Sequence, residues 1–312
     1  ILSLAALPAF DPNNFSKEKN LGVFSNPLVE KVYEMGSVIK PLTIAAGIDA
    51  GVVKPATTYF DEGFLILNGE RIENFDGKGR GLVSMQEVLN QSLNTGAAFI
   101  ALKLGRERFK EYFNSFDFGE ETGVDLANET AGLVENLKNP QPIEMATISY
   151  GQGIAMTPVA AVRALAALAN GGVMPNPHLV EEISYTTGIS RKQSFGEGKR
   201  VFSERTAEIV TRMLVETVDK SLLGGSVRLP DLSVAAKTGT AELAREDGKG
   251  YFDDRFLHSF FGYFPAYDPK FFIFLYAVGP EKGARFASET LTKPFFDLVK
   301  FLRGYYRIPP DR

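Results

Sequence analysis

Three apolar runs crowd the last quarter of the chain: "LSVAAKTGTAEL" from residue 232, "HSFFGYFPA" from 258 and "KFFIFLYAVG" from 270. Each is short, each is bounded by turn residues, and each reads as a strand. Residues 287–304 read as a helix that closes the chain. A further strand-like run, "ILSLAALPAF", opens it and is ended by Pro8 and a Pro/Asn turn. Strands at both ends with helices between them suggest one sheet assembled from the two termini and a helical lobe inserted in the middle, an α+β arrangement. The expected division is a sheet lobe of residues 1–36 plus 200–312 and a mainly helical lobe of residues 37–199.

The middle of the chain supports this division. Residues 37–50 read as a helix stopped by Gly51, and the stretch 51–83 is loop-rich, with the turn signals "NGE" and "FDGKGRG". "SMQEVLNQSLNTGAAFIALKLG" opens with a capping-box pattern, Ser84 to Glu87, and ends at Gly105. Further helices are expected near 106–114, at 157–170 behind Thr157-Pro158, and at about 203–220. Residues 185–200 are polar and glycine-bearing, a surface excursion.

Composition narrows the chemistry. With 312 residues, 44% hydrophobic and 12% aromatic, the chain can bury a large core. A formal charge of −4, with Lys and Arg dispersed, argues against nucleic acid as a partner. There is no cysteine, which excludes disulfides, thiolate metal sites and cysteine nucleophiles. His178 and His258, the two histidines, are too scattered for a histidine metal cluster, so neither metal nor cofactor is expected. No apolar run reaches the ~18 residues of a membrane span. The opening run has no charged leader and lacks a methionine, so the chain reads as a fragment whose anchor or leader lies elsewhere.

Ser-x-x-Lys occurs twice, at Ser16/Lys19 and at Ser37/Lys40. The first sits in polar "FSKEKN" and reads as solvated. The second, in "MGSVIKP", follows Gly36 and precedes Pro41, which places Ser37 at the first turn of a helix with unpaired backbone N–H groups around it. Residues three apart share a helix face, so the Lys40 amine can approach the Ser37 hydroxyl as base to nucleophile. For that the amine must be neutral, and burial plus a second cation must bring its pKa from about 10.4 towards about 7. A capping serine and a surface lysine would produce the same pattern. "QSLN" offers Ser92 and Asn94, about 200° apart in a continuous helix, so both reach one cleft only if the helix breaks there, which the following Thr95-Gly96 makes plausible. "AAKTGT" puts Lys237, Thr238, Gly239 and Thr240 on a strand. Alternation splits them between two faces, and they serve one ligand only if a cleft runs along an open strand edge, where Gly239 lets the ligand approach the backbone.

Ser-x-x-Lys, Ser-x-Asn and Lys-Thr-Gly in this order are the signature of penicillin-binding proteins and serine β-lactamases. The chain resembles the transpeptidase domain of class B penicillin-binding proteins almost end to end, through "LPAFDPNNF", "YEMGSVIKP", "FGEETGVDL", "ISYGQGIAMTP", "ALANGG", "KTGTAE" and "GYFPAYDP". The tail "YYRIPPDR" is similar to that of division-type members. The resemblance implies a five-stranded antiparallel sheet packed by helices with an inserted all-helical lobe. Its first strand, a pedestal domain and an N-terminal membrane anchor would precede Ile1, placing the domain on the extracytoplasmic face of the bacterial membrane.

It further implies a peptidoglycan D,D-transpeptidase. Ser37 would attack a stem peptide ending in D-Ala-D-Ala, Lys40 would take its proton, Ser92 would relay a proton to the leaving amine and Asn94 would hold the substrate amide. Lys237 would supply positive potential, Thr238 and Thr240 would meet the substrate carboxylate beside Gly239, and the backbone N–H groups of Ser37 and Thr240 would hold the oxyanion. β-Lactams would acylate Ser37, and a membrane glycosyltransferase with division or elongation proteins would be partners. A D,D-carboxypeptidase, a β-lactamase or β-lactam sensor, and a non-catalytic cell-wall scaffold are the alternatives on the same fold. Met35 and Ala236 stand where many relatives have proline and glycine, and "GARFASETLTKPFF" (283–296) replaces a glycine-rich segment. "ENLKN", Glu135 to Asn139, superficially matches a β-lactamase deacylating loop but reads as an ordinary loop ending at Pro140.

Overall fold

The computed structural model describes residues 1–245, 250–280 and 284–312. Its main sheet is antiparallel, with strands β1 (Ala235–Ala244), β2 (Tyr251–Phe264) and β3 (Phe271–Val278) in the order β3-β2-β1. Side chains alternate along β2. Phe260 and Phe264 turn toward the closing helix Thr292–Tyr306, where Phe295 stacks on Phe260 at 4.4 Å, while Leu257, Phe261 and Tyr263 join the core of the helical side. Apolar cores on both faces explain why these strands read as nearly continuous hydrophobic runs.

Helix α1 (Lys40–Asp49) is buried along Lys40–Gly47, an apolar rod with one lysine at its head. Around it pack α2 (Met85–Asn90), α3 (Asn94–Leu104) and α4 (Glu204–Lys220). The expected boundary at residue 200 does not divide the core, since one hydrophobic cluster runs from Met35 to Ala266. The expected caps at Ser84 and Thr157 each accept a hydrogen bond from a first-turn N–H, and Ser203 caps α4 in the same way.

Three expectations need correction. The opening run "ILSLAALPAF" is not a strand: it has no ladder partner, and it is held by Leu4 and Ala6 packing on Leu28, Val29 and Val159. The stretch 51–83 is not mere loop, because Thr58–Asp61 pairs with Gly81–Ser84 and Phe64–Leu67 with Glu70–Glu73. Its turn residues close these short ladders, and each is too short for periodicity to reveal. The helix over 84–104 breaks before Thr95-Gly96, at Ser92, whose φ is +55°.

Candidate active site

Gly36–Ile39 form a single 3-10 turn that runs straight into α1. Gly36 has φ +65°, and a Cβ there would lie 2.8 Å from the Thr240 carbonyl oxygen, so only glycine allows the turn to rest on the sheet edge. The Lys40 backbone N–H donates to the Ser37 carbonyl, which sets both side chains on one face of the turn. Ser37 lines a cleft of about 880 Å³, while Lys40, 0% exposed, lies behind it. Ser16 and Lys19, the other Ser-x-x-Lys, are both exposed.

The Lys40 amine points at the break between α2 and α3. Its Nζ donates to the Ser92 carbonyl at 2.5 Å and the Asn94 Oδ1 at 2.8 Å, and it lies 3.2 Å from the Ser92 Oγ. The left-handed backbone at Ser92 lets its carbonyl, its hydroxyl and the Asn94 amide converge on one amine, a strained residue at a site where strain is useful. From the other side, Lys237 Nζ reaches the same Ser92 Oγ at 3.0 Å. Ser92 therefore bridges two lysines, accepting from a charged Lys237 while free to donate to a neutral Lys40. Among the described residues neither amine has a carboxylate partner. Burial first, and the Lys237 charge second, hold the Lys40 pKa well below the usual lysine range. Burial pushes that of Lys237 down to about 7. The Ser37 hydroxyl is not among the hydrogen-bond partners of Lys40.

Strand β1 is the open edge of its sheet, and Lys237, Thr238 and Thr240 all line the cleft. The Thr240 Oγ1 accepts from Ala287 N at 3.0 Å, which leaves its own proton to donate toward a ligand. Gly239 is different. A Cβ there would meet Ser259 Oγ at 2.4 Å, Met35 O at 2.8 Å and Val38 N at 3.0 Å, so its small size admits the Ser37 turn rather than a ligand. His258, opposite Thr240 across the ladder, is a buried strand residue bonded to Thr290 Oγ1 at 2.8 Å. Glu135 sits outside the cleft in a surface pair with Lys138. Of the segment 283–296, Gly283 lies outside the described residues; Phe286 lines the cleft and meets Phe75 edge-on at 5.5 Å.

Two features escaped the sequence reading. Glu34 accepts from Gly153 N at 2.7 Å and from Tyr251 OH at 3.0 Å, tying the loop after Tyr150 and the start of β2 to the Ser37 turn. Its other oxygen is buried without a partner among the described residues, and burial raises its pKa. Asn74 reaches the start of α3 from the hairpin region. Both residues are single polar letters in loop-like sequence, with no spacing to single them out.

The family model for the penicillin binding protein transpeptidase domain matches residues 1–298. The chain belongs to this family. Stage V sporulation protein D of Bacillus subtilis is 32% identical over 94% of this chain and 45% of its own length. Peptidoglycan D,D-transpeptidase MrdA of Acinetobacter baumannii is 31% identical over 99% of this chain and 50% of its own. The crystal structure of penicillin binding protein 3 from Mycobacterium tuberculosis, complexed with aztreonam, superposes with a TM-score of 0.83 at 26% identity, covering 92% of this chain and 66% of that one. The transpeptidase chain thus spans about half the length of the curated relatives it matches. The likeness extends to α+β architecture with a helix-packed antiparallel sheet, of which the described residues supply three strands.

Proposed function

We propose that the chain is the acyl-transfer domain of a peptidoglycan D,D-transpeptidase that acts outside the cytoplasmic membrane. The observation that carries this reading is the Ser92 hydroxyl held between two buried lysines, one of them on the turn of Ser37. A neutral Lys40 takes the proton of Ser37 as its Oγ attacks the carbonyl of the penultimate D-Ala. The backbone N–H groups of Ser37 and Thr240 hold the oxyanion, each worth about 3–4 kcal/mol in comparable sites. Ser92, between the lysines, passes a proton to the terminal D-Ala nitrogen, which leaves as the amine. Thr238, Thr240 and Lys237 receive the terminal carboxylate, and Asn94 holds the stem amide.

An amine from a second stem then attacks the ester, loses its proton to the site and frees Ser37 as a new amide forms. Relatives named as D,D-transpeptidases and a neighbour solved with aztreonam support both substrate class and inhibition by β-lactams. A membrane glycosyltransferase and division or elongation proteins are the partners this role requires. No helix among the described residues is long and apolar enough to cross a membrane. The test is incubation with a pentapeptide ending in D-Ala-D-Ala and an amine acceptor. Equal amounts of released D-Ala and amide product are expected. Release with hydrolysed product alone indicates a carboxypeptidase, and no release by folded protein indicates a scaffold.

A further inference from the structure

The hairpin region 58–84 meets the site through one residue. Asn74, 1% exposed, accepts at its Oδ1 from Asn94 N at 2.9 Å and Thr95 N at 3.3 Å. These are the first N–H groups of α3, which have no partner inside the helix, and Leu93 at the N-cap offers none. Asn74 is therefore a helix cap supplied from a distant part of the chain.

Its Nδ2 donates to both oxygens of Asp61, at 3.1 and 3.0 Å. Asp61, 1% exposed, also accepts from Gly63 N at 2.9 Å, Arg80 N at 3.1 Å and Thr95 Oγ1 at 2.7 Å. The Asn74 amide cannot flip without setting its NH2 against two N–H donors and its oxygen against a carboxylate. Asn94, fixed by this cap, donates from its Nδ2 to Glu73 O at 2.9 Å and accepts at its Oδ1 from Lys40 Nζ at 2.8 Å.

A helix start ordinarily favours a carboxylate. Here a neutral amide meets the helix N–H groups, and the carboxylate behind it reaches the helix only through the Thr95 hydroxyl. We propose that Asn74 is a positioning residue of the acyl-transfer site, aiming the Asn94 carbonyl at Lys40 while keeping the negative charge of Asp61 one hydrogen bond away from it. This rests on the acyl-transfer reading of Ser37 and Lys40. The ionisable group acting directly on Lys40 is Lys237 from the sheet edge; beyond Asn94 and Asn74 stand Asp61, Tyr59, whose hydroxyl lies 3.0 Å from Thr95 Oγ1, and Arg80, whose guanidinium pairs with Asp76 at 2.9 Å. Glu87 on α2 is taken up by Asn90 and Gln91.

The test exchanges the two residues, Asp61→Asn with Asn74→Asp, which keeps the donor–acceptor pair and moves the charge next to Asn94. Melting by circular dichroism checks the fold. The Lys40 titration, read by NMR in protein carrying 13C at lysine Cε, should move up by about one pH unit because a nearer anion favours the ammonium. Acylation by labelled penicillin at pH 7 should fall with it, by up to about tenfold. A folded exchange variant with wild-type Lys40 titration and acylation would overturn the proposal. Asn74→Ala removes the cap without adding charge, and its folded fraction should be acylated at least tenfold more slowly; wild-type acylation by that fraction would overturn it too. If the exchange variant does not fold, Asn74→Ala decides. If wild-type protein is not acylated at Ser37, the acyl-transfer reading fails, while the Lys40 titration still decides the charge placement.

Discussion

On the sheet side of the cleft, Lys237 is carried by a strand paired residue by residue with its neighbour, and apolar cores lie on both faces of that sheet. On the hairpin side, Asn94 is held by a relay of buried polar groups, Asp61 to Asn74 to the first turn of α3. Both walls aim a group at Ser92 and Lys40. The sheet does so with backbone and packing, so its lysine contributes chemistry and little scaffolding. The hairpin does so with side chains, so its polar residues contribute scaffolding and chemistry together. Loss of rate and loss of stability should therefore separate on one wall and coincide on the other.

The largest expected effect on the sheet side is that of Lys237→Met. Acylation by penicillin should fall by about 10²–10⁴, the range typical of a lost proton-transfer or charge-stabilising group. Melting should hold or rise, because replacing a buried cation with a packed apolar side chain is often stabilising. A large loss of stability would break the contrast. On the hairpin side, Asp61→Ala leaves Gly63 N without its acceptor and takes one or more hydrogen bonds from Asn74 Nδ2, Arg80 N and Thr95 Oγ1. Unfolding in denaturant should show a loss of roughly 3–5 kcal/mol, at about 1–3 kcal/mol for the group left unpaired and about 0.5–1.5 kcal/mol for each bond lost elsewhere. Unchanged stability would show that the relay is not what holds this wall.

A smaller effect is set by pH. Burial holds Lys237 at about 7 in the folded protein, below its usual 10.5. The unfolded chain thus binds more protons above pH 7, and stability should rise by about 1 kcal/mol per pH unit between 7 and 9. Below pH 7 the cost of the buried charge is fully present. Lys40, lowered for the same reason, adds in the same direction. Acylation should decline above about pH 7 as Lys237 loses its charge, and Lys237→Met should flatten the stability slope. The smallest effect is that of Glu135→Gln, an exposed residue outside both walls, whose acyl-enzyme should be as long-lived as the wild type's.

The residues that meet in the cleft were legible in the sequence, because glycine and proline fix "MGSVIKP" at a helix start and an apolar run fixes "AAKTGT" in a strand. Their convergence was legible only through the order of three motifs. The break between Ser92 and Asn94 was legible only as a condition for both to share a cleft, because a left-handed serine leaves no mark in composition. Gly239 was read as room for a ligand, since a sequence shows that space is needed but not which neighbour fills it. Asp61 and Asn74 were invisible, one ending a strand of four residues and the other just past one, where no periodicity marks them.

The central claim is that Ser37 is the nucleophile and that two buried lysines make it one. Mass spectrometry of the protein after incubation with penicillin tests it directly. One adduct per chain is expected, on the peptide containing Ser37, at a rate reduced by at least about 10⁴ in Ser37→Ala with unchanged melting. An adduct on another residue, or equal labelling of Ser37→Ala, would contradict the account.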